Sequence, residues 1–229
     1  MRTFIGDMHF LRTTRPIAKG EEITHQYLAP EYDISERQEK YKTTWNFECD
    51  CNLCVTDGAV SEEVRNKRRT QFEELKSKVE KLGESGNTSI SSIKKIARGL
   101  RELEALYLPS KEEPQDKYDT LPRLALVHPT LFLTEAWRGV KNMDKTIEYA
   151  QKLLREFGIL TTVEEGKFKV TQCSGLINVE GVRTLKYLTE AYSLKGEKEL
   201  AEDCKRLAEM WYLIITGAEV GMKEFLALA

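Results

Sequence analysis

Features that define several large protein classes are missing from this sequence of 229 residues. No apolar run is long enough to cross a bilayer, and the first residues lack the charged-then-apolar pattern of a secretory signal. Neither sign of charge dominates, because 35 Lys and Arg residues nearly balance 37 Asp and Glu residues. We therefore expect no membrane association and no direct nucleic-acid binding, and an intracellular protein that is cytoplasmic, nuclear or both.

A disulfide framework is also missing. The five cysteines are an odd number, and Cys49, Cys51 and Cys54 lie within six residues of one another, so a reducing compartment is expected. The other two, Cys173 and Cys204, are expected to be buried free thiols. Short Cys-x-Cys-x-x-Cys spacing lets several thiolates converge on one ion, and this donor set suits zinc. Buried free cysteines are the alternative for the cluster.

A structural zinc site takes four ligands, and the cluster supplies three. His9 or His25 would be the first candidates for a fourth ligand within this sequence. Ordinary strand histidines are the favoured interpretation of both, because zinc ligands usually come from ordered loops.

The chain changes character near Asp57-Gly58. Before this point, short apolar runs broken by turn residues predict strands, and Ser35 is the predicted N-cap of a short polar helix over Glu36–Lys42. After it, apolar residues recur at helical spacing, and 41% of all residues are hydrophobic, enough for a core. The predicted fold class is α+β and mostly α: a small β region and a zinc loop, followed by an antiparallel helical array.

The predicted boundaries after Gly58 are as follows. A long helix begins after Ser61 and ends at Gly83–Asn87, and further helices cover Ile90–Leu106, Leu121–Gly139, Met143–Phe157, Val179–Lys195, Glu197–Thr216 and a short segment after Glu219. Residues 158–175 form a strand or an extended loop. His128-Pro129 is interpreted as a helix start or a turn. Lys67-Arg68-Arg69 is interpreted as a solvated helix face, with a nuclear address as the weaker alternative.

The helical region contains an internal repeat. Leu133-Thr134-Glu135-Ala136-Trp137 recurs 55 residues later as Leu188-Thr189-Glu190-Ala191-Tyr192. In each copy the aromatic residue is followed nine residues later by a small residue, Thr146 or Ala201. This pattern is typical of a tetratricopeptide-type helical hairpin, although the offset exceeds the usual repeat length. Generic antiparallel helices are the alternative.

Two linked motifs resemble a known family. The first is Arg12-x-x-Arg15-Pro16-Ile17-x-x-Gly20-Glu21-Glu22-Ile23-x-x-x-Tyr27, which resembles the closing strands of a SET domain. The second is Trp45-Asn46-Phe47-Glu48-Cys49-Asp50-Cys51-x-x-Cys54, which resembles a post-SET zinc loop. Together with the tetratricopeptide-like helices that follow, this order is similar to the SET- and MYND-type lysine methyltransferases (the SMYD family). About a quarter of the chain matches closely and the rest loosely.

The resemblance implies a role for each matching residue. Tyr27 matches the active-site tyrosine that orients the target lysine amine, although a strand tyrosine packed in a core is the alternative. Trp45 matches an aromatic wall of the lysine channel, where tyrosine is commoner, and Phe47 matches the aromatic that packs on the adenine of S-adenosylmethionine. Cys49, Cys51 and Cys54 match three of four zinc ligands. The implied partner is a lysine side chain of a histone or another protein, and the helical region would bind further proteins.

The resemblance also implies missing parts. The family has an Asn-His-x-Cys segment that shapes the cofactor pocket and supplies the fourth zinc ligand, and this sequence contains no Asn-His pair. We therefore expect residues 1–43 to be the C-terminal piece of a SET domain, 44–58 the zinc loop and 59–229 the helical domain. The chain alone is expected to be incomplete and inactive. The alternative function is a helical interaction module with an inactive SET remnant.

Overall fold

The computed structural model describes residues 2–28, 33–85, 88–108, 118, 120–174 and 176–227. These residues form a mostly helical structure with two separate two-stranded antiparallel sheets, which confirms the predicted α+β, mostly α class. The strands are β1 (Arg2–Ile5), β2 (Met8–Leu11), β3 (Ile159–Glu164) and β4 (Lys167–Cys173). The helices are α1 (Ile34–Trp45), α2 (Asn52–Gly58), α3 (Glu62–Ser85), α4 (Ile90–Glu104), α5 (Leu124–Gly139), α6 (Met143–Glu156), α7 (Val179–Leu194), α8 (Lys198–Thr216) and α9 (Met222–Ala227), with a 3₁₀ turn at Ala105–Tyr107. No helix of these described ranges is both long enough and apolar enough to cross a membrane.

Helix α1 begins two residues earlier than predicted. Its N-cap is Asp33, whose Oδ1 accepts a hydrogen bond from the Ser35 backbone N–H at 2.9 Å, so Ser35 belongs to the first turn and is not the cap. Serine and aspartate both cap helices well, but here the carboxylate of Asp33, two residues upstream of Ser35, is the cap. The helix ends at Asn46, whose φ of 57° is the left-handed conformation that asparagine tolerates.

Helix α3 continues through the predicted break. The Ser61 hydroxyl accepts from the Val64 N–H, as expected for a cap, but the helix includes Gly83 and ends at Ser85. A single glycine costs a helix only about 1 kcal/mol, so it does not by itself end one. The remaining predicted break residues, Gly86 and Asn87, lie outside the described residues.

Two interpretations of local sequence were wrong. Pro129 is neither a helix start nor a turn, because it is buried inside α5, where it removes only the hydrogen bond to Ala125 near the beginning of the helix. Arg68 is not part of a solvated face. It is buried, and its guanidinium lies 3.9 Å from the Tyr107 ring centroid, whereas Lys67 and Arg69 are exposed.

The apolar core has two main parts. One lies between α3, α4 and α5 and includes Tyr118, and the other lies between α6, α7, α8 and the β3–β4 hairpin. Residues 158–175, which the sequence left open between strand and loop, contain this hairpin, with a tight turn at Glu165-Gly166, both at positive φ. Ile159 and Phe168 bury its inner face in the core.

The sequence repeat recurs in the structure as two helical hairpins, α5–α6 and α7–α8. In the first turn the Asn142 N–H donates to the Trp137 carbonyl at 3.0 Å, and 55 residues later the Glu197 N–H donates to the Tyr192 carbonyl at 2.9 Å. The residue before each donor is left-handed: Lys141 at φ 58° and Gly196 at φ 80°. The leucine, the aromatic residue and the small residue of the pattern are buried in both copies: Leu133, Trp137 and Thr146 in the first, and Leu188, Tyr192 and Ala201 in the second. The two copies therefore share one turn geometry as well as one sequence pattern.

Candidate metal centre and aromatic cluster

The three clustered thiols converge in the structure. Cys49 lies in the loop after α1, Cys51 immediately precedes α2, and Cys54 lies in the first turn of α2. Their sulfur atoms all lie within 4.8 Å of one another, and within the described ranges they are the only group with a metal-binding arrangement. Sulfur atoms around a tetrahedral zinc lie about 3.8 Å apart, given a Zn–S bond of about 2.3 Å. The donor set and its spacing therefore fit a thiolate-bound metal after a small adjustment.

The hydrogen bonds among the thiols favour a single negative charge. The Cys51 sulfur accepts from the Cys54 thiol, and this bond lowers the pKa of Cys51 to about 5. The same bond, with burial, raises the pKa of Cys54, and burial raises the pKa of Cys49. Three thiolates so close together repel one another, so full deprotonation requires a compensating cation. A zinc ion would supply that charge when bound.

Helix α1 holds the loop that carries Cys49. The Gln38 side-chain amide donates to the Cys49 carbonyl at 2.6 Å and accepts from the Cys49 N–H at 2.9 Å. Tyr41, one turn further along α1, is buried and stacks on Phe47 with ring centroids 5.1 Å apart. One face of α1 therefore contacts both the first cysteine and the aromatic residue that precedes it.

A buried polar network joins this region to the helical array. The Arg37 guanidinium is 2% exposed and donates to Asp57 at 2.7 Å, and Tyr118 donates to the other carboxylate oxygen at 2.7 Å. Arg68 in turn donates to the Tyr118 hydroxyl at 2.9 Å and to the Leu106 carbonyl at 2.8 Å. The four side chains of this network line a cleft between α1, α3 and the beginning of α5.

Neither this network nor the contact of Gln38 with Cys49 was expected from the sequence. Charged and amide residues in polar helices are usually exposed, so their identity carried no signal of burial. The Arg37 charge also lies beside Cys54, where it favours a thiolate.

The three aromatic residues predicted for the active site lie together. The Tyr27 ring is 5.3 Å from the Trp45 ring and 5.4 Å from the Phe47 ring, at interplanar angles of 66° and 60°. Tyr27 is 45% exposed and Trp45 is 42% exposed, so this cluster is open to solvent on one side. His25 packs against Tyr27 at 4.1 Å.

Neither candidate histidine joins the thiols. His9 stacks on Phe4 at 4.5 Å in the β1–β2 hairpin, and His25 belongs to the aromatic cluster. Over the described part of the chain, the thiol group contains cysteines only. All six predicted site residues are thus close in the fold: Tyr27, Trp45, Phe47, Cys49, Cys51 and Cys54. The structure brings the two sets together through Phe47, which contacts Tyr27 and lies two residues before Cys49.

Comparisons with known proteins give one informative relative. No family model matches the chain. A protein of Gibberella zeae named "Methyltransferase" is 32% identical over 111 residues, which are 48% of this chain and 14% of that protein. The chain thus spans a small part of the length of this relative.

Proposed function

We propose that this chain forms part of an S-adenosylmethionine-dependent, SET-type protein-lysine N-methyltransferase. The observation that carries the proposal is the contact of Tyr27 with both Trp45 and Phe47, beside a three-thiol group. These are the residues that the SET and post-SET resemblance selects, and they come from segments about 20 residues apart in sequence. The similarity to a protein named methyltransferase supports the same reaction class.

Each site residue has a proposed task. S-adenosylmethionine, when bound, supplies the methyl group. The Tyr27 hydroxyl orients the lysine amine for in-line attack, which is a positioning role. The Trp45 ring forms an apolar wall along the lysine stem, and the Phe47 ring packs on the cofactor's adenine. The partial exposure of Tyr27 and Trp45 leaves both rings accessible to a substrate from the solvent side.

Cys49, Cys51 and Cys54 are proposed to hold a structural zinc ion. Metal binding to such a loop contributes to folding, because the unfolded loop has no preformed site. The proposed organisation keeps three parts: residues 1–43 as a SET segment, 44–58 as the zinc loop and 59–229 as a helical domain flanking the substrate cleft. The proposed substrate is a lysine side chain of a histone or another protein.

Cofactor binding tests the proposal at Phe47. The experiment is titration calorimetry with S-adenosylmethionine on the full open reading frame that contains this sequence. We expect binding in the wild type and at least about fivefold weaker binding in Phe47→Ala, because an adenine stack contributes about 1–3 kcal/mol. Phe4→Ala is the matched control, because Phe4 is exposed on the β1–β2 hairpin. Absence of binding in the wild type, or equal binding in both variants, contradicts the proposal.

A second candidate is a helical protein-interaction module that carries an inactive SET remnant. The observation that favours it is the matching turn geometry of α5–α6 and α7–α8, which is typical of tetratricopeptide-like arrays that bind other proteins. The two candidates differ at Tyr27. The methyltransferase should lose methyl transfer in Tyr27→Phe. An interaction module should show no methyl transfer in either the wild type or the variant.

A further inference from the structure

We propose that Gln38 is a positioning residue for the metal centre, which sets the metal affinity by holding Cys49 toward Cys51 and Cys54. This inference rests on the proposed metal centre and goes beyond it, because Gln38 is neither a ligand nor part of the cysteine motif. The carrying observation is the pair of hydrogen bonds between one side-chain amide and both backbone polar groups of Cys49.

The Gln38 amide restrains the backbone of Cys49. A primary amide that donates to the carbonyl and accepts from the N–H of the same residue restrains φ and ψ together. Cys49 lies in a loop between α1 and α2, so no hydrogen bonds of a helix or a strand restrain its φ and ψ. The backbone sets the Cα–Cβ direction and so limits Sγ to the few positions that the staggered χ1 rotamers allow. With the backbone held by the amide clamp, the Cys49 sulfur lies within 4.8 Å of the other two.

Cys51 and Cys54 are held differently from Cys49. Cys51 immediately precedes α2 and Cys54 lies within it, so the helix fixes both. Buried Arg37 donates to Asp57 near the end of the same helix and so holds α2 against α1. Cys49 alone depends on a side chain for its placement, and that side chain comes from the residue next to Arg37.

The clamp lowers the entropic cost of metal binding. A loop that must become ordered when it binds a metal loses conformational entropy. The Gln38 clamp removes part of that cost in advance, since Cys49 is already held. Partners that orient metal ligands from outside the coordination sphere typically change metal affinity by roughly 10- to 100-fold.

The clamp also connects the metal centre to the aromatic cluster. Phe47 lies two residues before Cys49 and contacts both Tyr41 and Tyr27. Gln38 and Tyr41 lie on neighbouring turns of α1, three residues apart, and therefore on one face. Holding Cys49 thus restrains the chain that carries Phe47, and metal binding and aromatic packing support each other.

The test is metal affinity in the folded protein. Zn²⁺ binding is measured by competition with a chromophoric chelator, and Co²⁺ is used separately because its thiolate charge-transfer absorption reports how many sulfurs bind. We expect Gln38→Met, which keeps the length of the side chain but neither hydrogen bond, to raise the Zn²⁺ dissociation constant by roughly 10- to 100-fold. Its Co²⁺ absorption should fall as Cys49 leaves the metal.

Two further variants separate positioning from general stability. Gln38→Glu keeps the acceptor for the Cys49 N–H and loses the donor, so it should recover part of the affinity lost in Gln38→Met. Glu39→Met makes the matched change at the adjacent exposed residue and should leave the affinity unchanged. Circular dichroism checks that each variant keeps its helices.

The outcomes distinguish the inference from the proposal beneath it. If the wild type gives no thiolate absorption with Co²⁺, both the metal centre and the role of Gln38 are wrong. If the wild type binds and Gln38→Met binds equally well with the same spectrum, the metal centre stands and the positioning role is overturned. If Gln38→Met lowers the melting temperature but leaves the metal affinity unchanged, the positioning role is also overturned.

Discussion

Arg37 and Asp57 form an ion pair at 2.7 Å that links α1 to the end of α2, across 20 residues of sequence. The pair encloses the segment that carries the three thiols, and Tyr118 adds a second hydrogen bond to the Asp57 carboxylate. The cysteine segment is therefore bounded on both sides by contacts between side chains other than the thiols. This arrangement preorganises the proposed site.

The ion pair should contribute strongly to stability. Asp57→Asn leaves the buried Arg37 charge without its counter-ion, and breaking a buried pair in this way costs about 3 kcal/mol. The measurement is the free energy of unfolding from urea denaturation. Glu48→Gln is the control, because the Lys42–Glu48 pair is 3.8 Å long and exposed, and it should show no measurable change. Equal effects of the two variants would contradict the account.

The buried Arg68 should matter more than its basic neighbours. Arg68→Met removes the donors to Tyr118 and to the Leu106 carbonyl, and we expect a loss of about 2 kcal/mol in the free energy of unfolding. Lys67→Met changes an exposed residue of the same run and should have little effect. Arg68→Lys should not restore stability, because one ammonium cannot reproduce the planar fork of donors. A stable Arg68→Met would mean that the network is dispensable.

Glu156 should make the protein less stable as the pH rises. It is 1% exposed, and desolvation is the largest cause that raises its pKa to about 7, while the charge of Arg123 acts in the opposite direction. The unfolded carboxyl loses its proton near pH 4.5 and the folded one near pH 7, so stability falls between these values and stays lower above them.

Glu156→Gln removes this titration. Its free energy of unfolding relative to the wild type should therefore increase from pH 5 to pH 8 by up to about 3 kcal/mol. Urea denaturation at both pH values provides the check. A difference between the two proteins that is independent of pH would show that Glu156 keeps an ordinary pKa.

The contact between Arg12 and Gly217 should connect the N-terminal hairpin to α8. Gly217 ends α8 at φ 79°, and a Cβ there would overlap the Arg12 guanidinium. Gly196 has a similar φ of 80° but open space around it, so Gly196→Ala reports the backbone strain alone, at about 1 kcal/mol. We expect Gly217→Ala to lower the free energy of unfolding by the same amount, about 1 kcal/mol. In addition, it should speed amide hydrogen exchange in β1 and β2. Unchanged exchange there would mean that the contact does not hold the hairpin.

Metal binding should reduce the solvent access of Trp45. The other two tryptophans, Trp137 and Trp211, are buried, so a polar quencher reports mainly on Trp45. Zinc bound four to nine residues further along the chain should order this segment and lower the acrylamide quenching constant. Cys51→Ser should abolish the change. Quenching that is insensitive to zinc would separate the aromatic cluster from the thiols.

The sequence predicted much of the fold because its signals are local. Apolar residues at helical spacing gave α4 to α8, and three closely spaced cysteines gave the thiol group. The long-range polar contacts were beyond such reasoning. Arg68 and Tyr118 are 50 residues apart, and Tyr118 and Asp57 are 61 apart, so only the tertiary fold pairs them. The identity of a residue does not show whether its side chain is buried or exposed, which is why Arg68 was misinterpreted. The meeting of Tyr27 with Trp45 and Phe47 was expected only through the family resemblance.

Methyl transfer in the full open reading frame tests the central claim most directly. The protein is loaded with zinc, incubated with methyl-labelled S-adenosylmethionine and lysine-containing protein substrates, and the products are mapped by mass spectrometry. We expect label on lysine side chains, a loss of at least about tenfold in Tyr27→Phe, and near wild-type transfer in Tyr212→Phe, since Tyr212 lies in α8, where its hydroxyl donates to the Val220 carbonyl and its ring packs against Phe225. Absence of lysine methylation in the wild type, or equal transfer by Tyr27→Phe, would contradict the account.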